Sequence, residues 1–402
     1  MEATGYVGRA VSLSYGGDGL APSSSLRYNR PVVGVGERWV VVDGSAGEGG
    51  GQVLRTALTL SILTGRAVEV REIRAGRPKP GLRPQHLAAV MAAAAICGAE
   101  VEGAELGSRR LRFVPRGPAR PGVYAFDVAE IAGRGSAGAV GLVLQTVLLP
   151  LALSNGPSRL TLRGGTHVPW APSVDYLQAV FLPAAARMGV RAEVELVAWG
   201  FYPVGGGEVQ VRIEGRSGDP LEPLRLVERG EVRRVWGRGV ASNLPAHIAQ
   251  RMANRAHNLL MAAWAGAEYR SSVAPSIQIE ALRVRGAGPG AAVFLFAEYE
   301  HVVAGFSSYG RKGLPSEQVA AAACDDLLTH HRAGAPADPH LADQLVLPMA
   351  VASGTSQVAT SAITDHLLTN LAVVRAFLSV QAQVEGEQGR PGIITILGSA
   401  YD

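Results

Sequence analysis

GSAGEGGGQVLRT, residues 44–56, returns as GSAGAVGLVLQT at residues 135–146 with a one-residue slip. The landmarks around it keep a spacing of 91, pairing Gly65 with Gly156 and Gly98 with Gly189. Self-similarity at a fixed period marks a structural unit used more than once. Each copy reads alike: a Gly-rich turn opens a helix, a glycine ends it, and an alternating strand follows (Val68, Val70; Leu160, Leu162). A second helix is expected from Pro84 in one copy and from near Pro172 in the other. Proline in the first helical turn and glycine after the last are the usual punctuation.

A third copy lies further on, where PLALSNG (150–156) matches PMAVASG (348–354) and a second helix should begin near His366. The offset is now 198, which exceeds the period by 107 and places an insertion of about that length at 222–330. That segment carries its own pattern: strands near 232–236, 277–284 and 292–298, with helices over 245–263 and 316–330. Residues 1–37, rich in Gly and Ser and without periodicity, read as a flexible extension. The expectation is therefore an α/β (α+β) protein. Residues 38–221 and 331–402 form a large domain of three repeated strand–helix units about a pseudo-threefold axis, and 222–330 form a smaller inserted domain.

Composition narrows the function classes. Of 402 residues 47% are hydrophobic and 18% charged, which suits a compact domain and excludes a disordered chain. A formal charge of +4 is too mild to demand a polyanion. The basic set is almost all arginine, with only Lys79 and Lys312 as lysines. Cys97 and Cys324 are the only cysteines, so neither a disulfide framework nor a zinc site is implied, and a reducing cytoplasm is expected. No apolar leader precedes Glu37. Residues 135–158 carry no formal charge, yet Gln145 and Pro150 interrupt them and the matching segment contains Arg55. They read as a buried helix, not a membrane span.

Four segments can carry chemistry. In DGSAGEGGGQVLRTAL (43–58) closely spaced glycines and a helix start suit phosphate, although a plain tight turn would look the same. Glu48 within it would repel a phosphate unless a cation such as Mg²⁺ stood between them. IRAGRPKPGLRPQHL (73–87) sets Arg74, Arg77, Lys79 and Arg83 in a stiff loop before Gln85 and His86, fitting a doubly charged terminal phosphate or a solvated basic loop. HLADQLVLPMAVASG (340–354) opens the third copy with Asp343 and Gln344. DHLLTNLAVV (365–374) puts His366 where the first copy has His86. No GxxxxGK[ST] occurs and neither lysine stands in a KxDG context. If adenylate is carried covalently, histidine is the remaining natural nucleophile.

GEGGGQVLRTAL, IRAGRPKPGLRPQHL, GFYPVGGGEV (200–209), HLADQLVLPMA and HLLTNLAVV resemble, in order, the motifs of RNA 3′-terminal phosphate cyclases, over roughly residues 38–380. The resemblance implies three repeats similar to the C-terminal domain of translation initiation factor three, with a smaller inserted domain. It implies an ATP-dependent conversion of an RNA 3′-phosphate to a 2′,3′-cyclic phosphodiester through AMP on His366. By motif, Glu48 would hold the divalent cation. Gln145, Pro172, His340, Leu341, Ala342, Asp343 and Gln344 would line the ATP pocket. Arg55, Arg74, Arg77, Gln85 and His86 would receive ATP phosphates or the RNA end. One departure is His340, where the family usually has tyrosine. The implied partner is RNA with a 3′-terminal phosphate, no membrane is involved, and a homo-oligomer stays open. Two alternatives remain, one sharing the fold and one, a small-molecule enzyme, using repeats of this kind. Cyclase-like RNA-processing factors lack the catalytic histidine, which is present here, and enolpyruvyl transferases need six repeats.

Overall fold

The computed structural model describes residues 10–11, 35–36, 39–131, 137–217, 219–266 and 274–399. Most of the 1–37 extension and the turn residues Gly135 and Ser136 lie outside them. Two short strands of that extension are described: Ala10–Val11, beside Gln381–Gly386, and Val35–Gly36, beside Trp39–Asp43.

Three of the four sheets share one strand order. In the first, Trp39–Asp43 runs parallel to Ala67–Arg71, which is antiparallel to Leu111–Val114, and Glu100–Glu102 takes the far edge. The second has the same order with Val123–Asp127, Ser158–Gly164, Gly207–Ile213 and Ala192–Ala198. The third has it with Arg225–Leu226, Gly354–Thr360, Gly392–Gly398 and Gln381–Gly386. Each opening pair is parallel and so needs a crossover helix. These are Gly51–Thr64, Val140–Ala152 and Pro339–Val351.

A second helix leaves the end of the second strand in each case: Pro84–Cys97, the run beginning at Val174–Tyr176, and Asp365–Phe377. The apolar faces of these helices meet in one large core, with Leu54, Leu58, Leu144, Val147, Leu345 and Leu371 all buried. The uncharged segment is a buried helix as its pattern requires, every residue of Val140–Ala152 but Gln145 being buried. Gly65 and Gly98 end their helices in the left-handed conformation. Gly156 does not: the helix stops earlier at Leu153, just past Pro150, which removes a backbone donor from its last turn.

The fourth sheet, ordered Ser276–Val284, Val232–Ser242, Gly290–Tyr299, Val303–Tyr309, falls between the first strand and the crossover helix of the third. Helices Ala246–Ala265 and Ser316–Ala333 cover one face around a separate core of Val235, Leu260, Leu295 and Leu327. Phe294 and Phe296 point the other way, into the large core. Among the described residues no helix is long and apolar enough to cross a membrane.

Candidate active site

The Gly-rich turn at 44–50 exists because its glycines let three elements close on it. Gly47 sits at φ +62, and a Cβ there would come within 2.1 Å of Thr369 Oγ1 on the helix Asp365–Phe377. A Cβ on Gly51 would come within 2.0 Å of His86 Nε2 on the helix Pro84–Cys97. The first helix therefore starts pressed between the second helices of two different units. Its N-cap, Gly50, offers no side chain to the first-turn amides, which leaves them for an anion.

Glu48 stands at the centre. Its Oε1 lies 3.0 Å from His366 Nδ1, and its Oε2 accepts from Arg77 Nη2 at 2.9 Å. Burial pushes the Glu48 carboxyl up, but His366, Arg77 and Arg55 more than offset this and keep it ionised. Burial pulls the His366 imidazole down, while Glu48 and then Asp343 push it above its ordinary value. His366 is 43% exposed, so its second ring nitrogen can meet a ligand. Arg55, one turn into the first helix, is half-buried, and its guanidinium makes no hydrogen bond or ion pair among the described residues. Burial lowers it to about 10, with Glu48 acting against the shift.

The backing is continuous. Thr364 caps the His366 helix by accepting from Leu367 N at 3.0 Å, and its hydroxyl donates to Asp343. Burial raises Asp343 to about 6 against the pull of Thr364, His366 and His340. Asn370 donates to the Asp343 carbonyl at 3.0 Å and accepts from Thr56 at 2.7 Å. Gln145 Nε2 donates to Gln344 Oε1 at 3.0 Å, joining two crossover helices. Between these helices runs a cavity of about 70 Å³ lined in part by Arg55, Gln145, Asp343, Gln344 and Asn370. Leu148, Phe181 and Leu347 also line it, and its volume suits a few waters, since nucleotide-sized pockets are several-fold larger.

The other expected residues divide. His340 is exposed, its ring 6.4 Å from Tyr176 and edge-on. Pro172 packs on the same crossover helix as Gln145, its carbonyl facing Gly141. Leu341 and Ala342 face the core and leave only backbone toward a pocket. Gln85 is half-buried beside Gly138. His86 is 4% exposed, and its Nδ1 accepts from Arg83 N at 3.1 Å. Burial, then Arg55, Arg74 and Arg83, hold it well below the ordinary value, so it is neutral with one nitrogen already used. Arg74 turns inward, donating to the carbonyls of Lys79 at 2.6 Å and Gly81 at 3.1 Å. It shapes the basic loop, whereas Arg77 reaches the site.

Sequence reasoning missed Asp338. It is fully buried and accepts from Tyr176 Oη at 2.8 Å, from the amides of His340 and Leu341 at 3.0 Å each, and from Gly305 N at 3.3 Å. The Asp-Pro start of the third crossover helix was the available signal for it. For a divalent cation, no group of three His, Cys, Asp or Glu side chains occurs among the described residues. Glu48 is the carboxylate within the Gly-rich turn, and its two oxygens already face His366 and Arg77, so a cation there would share it with them and take its other ligands from substrate phosphates.

A family model described as RNA 3′-terminal phosphate cyclase matches residues 46–384. The chain is 53% identical over 336 residues to the RNA 3′-terminal phosphate cyclase of Trichormus variabilis, covering 84% of this chain and 93% of the relative. It is 50% identical over 358 residues to that of Methylococcus capsulatus, covering 89% and 96%. It is 40% identical over 361 residues to that of Thermococcus kodakarensis, covering 90% and 99%. Among solved structures, the enolpyruvyl transferase NikO from Streptomyces tendae aligns with 44% of this chain and 33% of its own at 17% identity. Its TM-score of 0.26 is too low to argue from.

Proposed function

The chain belongs to the RNA 3′-terminal phosphate cyclase family, and from that membership we propose that it spends ATP to close an RNA 3′-phosphate into a 2′,3′-cyclic phosphodiester, with His366 carrying AMP. The observation that carries this reading is the 3.0 Å approach of Glu48 Oε1 to His366 Nδ1. A carboxylate charge this close to one imidazole nitrogen favours the proton on that nitrogen and leaves the other nitrogen's lone pair for attack.

In the first step His366 Nε2 attacks the α-phosphorus of ATP. A P–N bond forms, the P–O bond to the β-phosphate breaks, and pyrophosphate leaves. Arg55 and the uncapped amides of the first helix stand ready to take phosphate charge. In the second step an oxygen of the RNA 3′-phosphate attacks the same phosphorus, the P–N bond breaks, and His366 recovers its lone pair. In the third, the 2′-oxygen attacks the 3′-phosphorus and expels AMP, while the hydroxyl proton passes to solvent. The ribose holds that nucleophile beside its target, an arrangement worth about 7–11 kcal/mol over an untethered attack. Mg²⁺, when bound at Glu48, would neutralise charge on the triphosphate.

The same reading takes the three like sheets as copies of one unit, as in the C-terminal domain of translation initiation factor three. It takes 222–330 as a domain inserted into the third, and the cytoplasm as the setting. The shared strand order supports the repeat.

Incubation with α-labelled ATP and Mg²⁺ tests the chemistry. Label should stay on the denatured protein, be released by acid and resist alkali. His366→Asn should carry none, yet should still cyclise RNA supplied with its 3′-phosphate already adenylated. Normal labelling of that variant would overturn the assignment.

A further inference from the structure

Three loops run from the second strand to the second helix of the three like sheets, and they leave from equivalent ends. The first, 72–83, carries Arg77, and the third, 361–364, delivers His366. The second, 165–173, carries Trp170, which is 89% exposed, the highest value among the exposed large apolar side chains of the described residues. Its backbone lies at φ +65, a region an aromatic residue rarely occupies, so the loop holds the ring out at a conformational cost. Tyr202, 57% exposed, meets Trp170 edge-on at 6.4 Å.

The ground beneath this pair is firm. Thr166 N and His167 N both donate to the Gly200 carbonyl, at 2.9 and 3.0 Å, pinning the two aromatic-bearing segments together. The fully buried His167 ring stacks on Trp199 and Phe201 at 4.3 and 5.5 Å. On its other side the loop packs Val168 against Ala139 and Leu142, at the start of the helix that carries Gln145.

We propose that Trp170, supported by Tyr202, is a stacking platform for a nucleobase of the RNA strand just behind its 3′-terminal phosphate. The inference rests on the function proposed above for where that phosphate goes. The platform sits on the loop that corresponds, by its place after the second strand, to those carrying Arg77 and leading to His366; it lies two residues before Pro172 and is almost wholly in solvent. A base stacked there belongs to the part of the substrate that continues away from the reacting end. Aromatic faces accept any base, which suits an enzyme reading an end and not a sequence.

The test measures binding of a 3′-phosphorylated hexaribonucleotide without ATP, and protein labelling by α-labelled ATP, on wild type, Trp170→Ala and Trp170→Phe. Trp170→Ala should weaken the hexamer by about 5- to 100-fold, Trp170→Phe should keep most of the affinity, and labelling should match wild type in both. Hexamers made abasic at one position near the 3′ end should bind wild type more weakly, and at one such position the Trp170→Ala effect should vanish. Equal hexamer affinity in wild type and Trp170→Ala overturns the proposal, as does an effect that persists whichever base is removed. Absence of labelling in wild type, with the Trp170 effect intact, would instead sink the histidine mechanism and leave the platform standing.

Discussion

Arg55 is the residue whose surroundings ask most of a ligand. A half-buried guanidinium with no hydrogen bond or ion pair among the described residues costs stability, and burial lowers it to about 10 even against the pull of Glu48. Arg55→Ala should therefore leave the thermal midpoint unchanged or higher. It should also raise the ATP needed for half-maximal labelling by the equivalent of about 1.5–3 kcal/mol. A lower midpoint with unaltered ATP dependence would mark Arg55 as structural. Much at this scale was legible: Glu48, Arg77, Gln145, Asp343 and His366 do converge. What the chain could not tell was rank within the set. His86 and His366 both begin second helices, and only packing shows that one is sealed with its Nδ1 spent while the other is open beside a carboxylate. Arg74 and Arg77 look interchangeable in the loop, yet one of them braces it.

At the scale of elements, glycines separate shape from contact. Gly65 is left-handed with nothing within 4 Å of an added Cβ, whereas at Gly47 that Cβ would strike Thr369 on the helix bearing His366. Gly65→Ala should cost about 1 kcal/mol of stability and leave labelling intact. Gly47→Ala should cost roughly 1–3 kcal/mol and also depress labelling steeply, because the displaced helix takes His366 from Glu48. Equal labelling in the two variants would dissociate the turn from the site. Helix starts were readable from Pro84 and Pro172, near which the second helices of the first two sheets begin. The strand Val303–Tyr309, VAGFSSY, was not, since its small residues give no alternation and its pairing with Gly290–Tyr299 is a tertiary fact.

Over the whole molecule, polar groups buried at seams set both acid sensitivity and cohesion. Glu69, 5% exposed on the outer face of the first sheet, takes Arg71, Arg110 and Arg112 at 2.5, 2.8 and 3.1 Å. Burial pushes its carboxyl up, but hydrogen bonds from Arg110, Arg71 and Arg112 prevail and hold it at about 2, below the ordinary 4.5. A depressed carboxyl stabilises the fold above its unfolded value and loses that contribution as pH falls toward the folded one. Glu69→Gln should thus cost about 2 kcal/mol at neutral pH, allowing for solvent around the arginines, and the gap to wild type should close between pH 4.5 and 2. A gap independent of pH would remove Glu69 from the acid response. Asp338 plays the other part, holding the Tyr176 hydroxyl, the amide of Gly305 in the fourth sheet and the start of the His340 helix at one buried carboxylate. Its partners come from three parts of the chain, so the Asp-Pro pair could signal a helix cap but not the seam that the carboxylate joins.

The parallel pairing of Arg225–Leu226 with Gly354–Thr360 sets a timetable for the nascent protein. The first two sheets are complete by Ile213 and can close while the ribosome is still working. The third cannot: about 130 residues must be translated between its opening strands, some 6 to 26 seconds at ordinary elongation rates. During that interval Leu226 waits without its neighbour, while the fourth sheet and its two helices can assemble in the gap. His366 emerges later still, so the nucleophile reaches Glu48 only when almost the whole chain has been made.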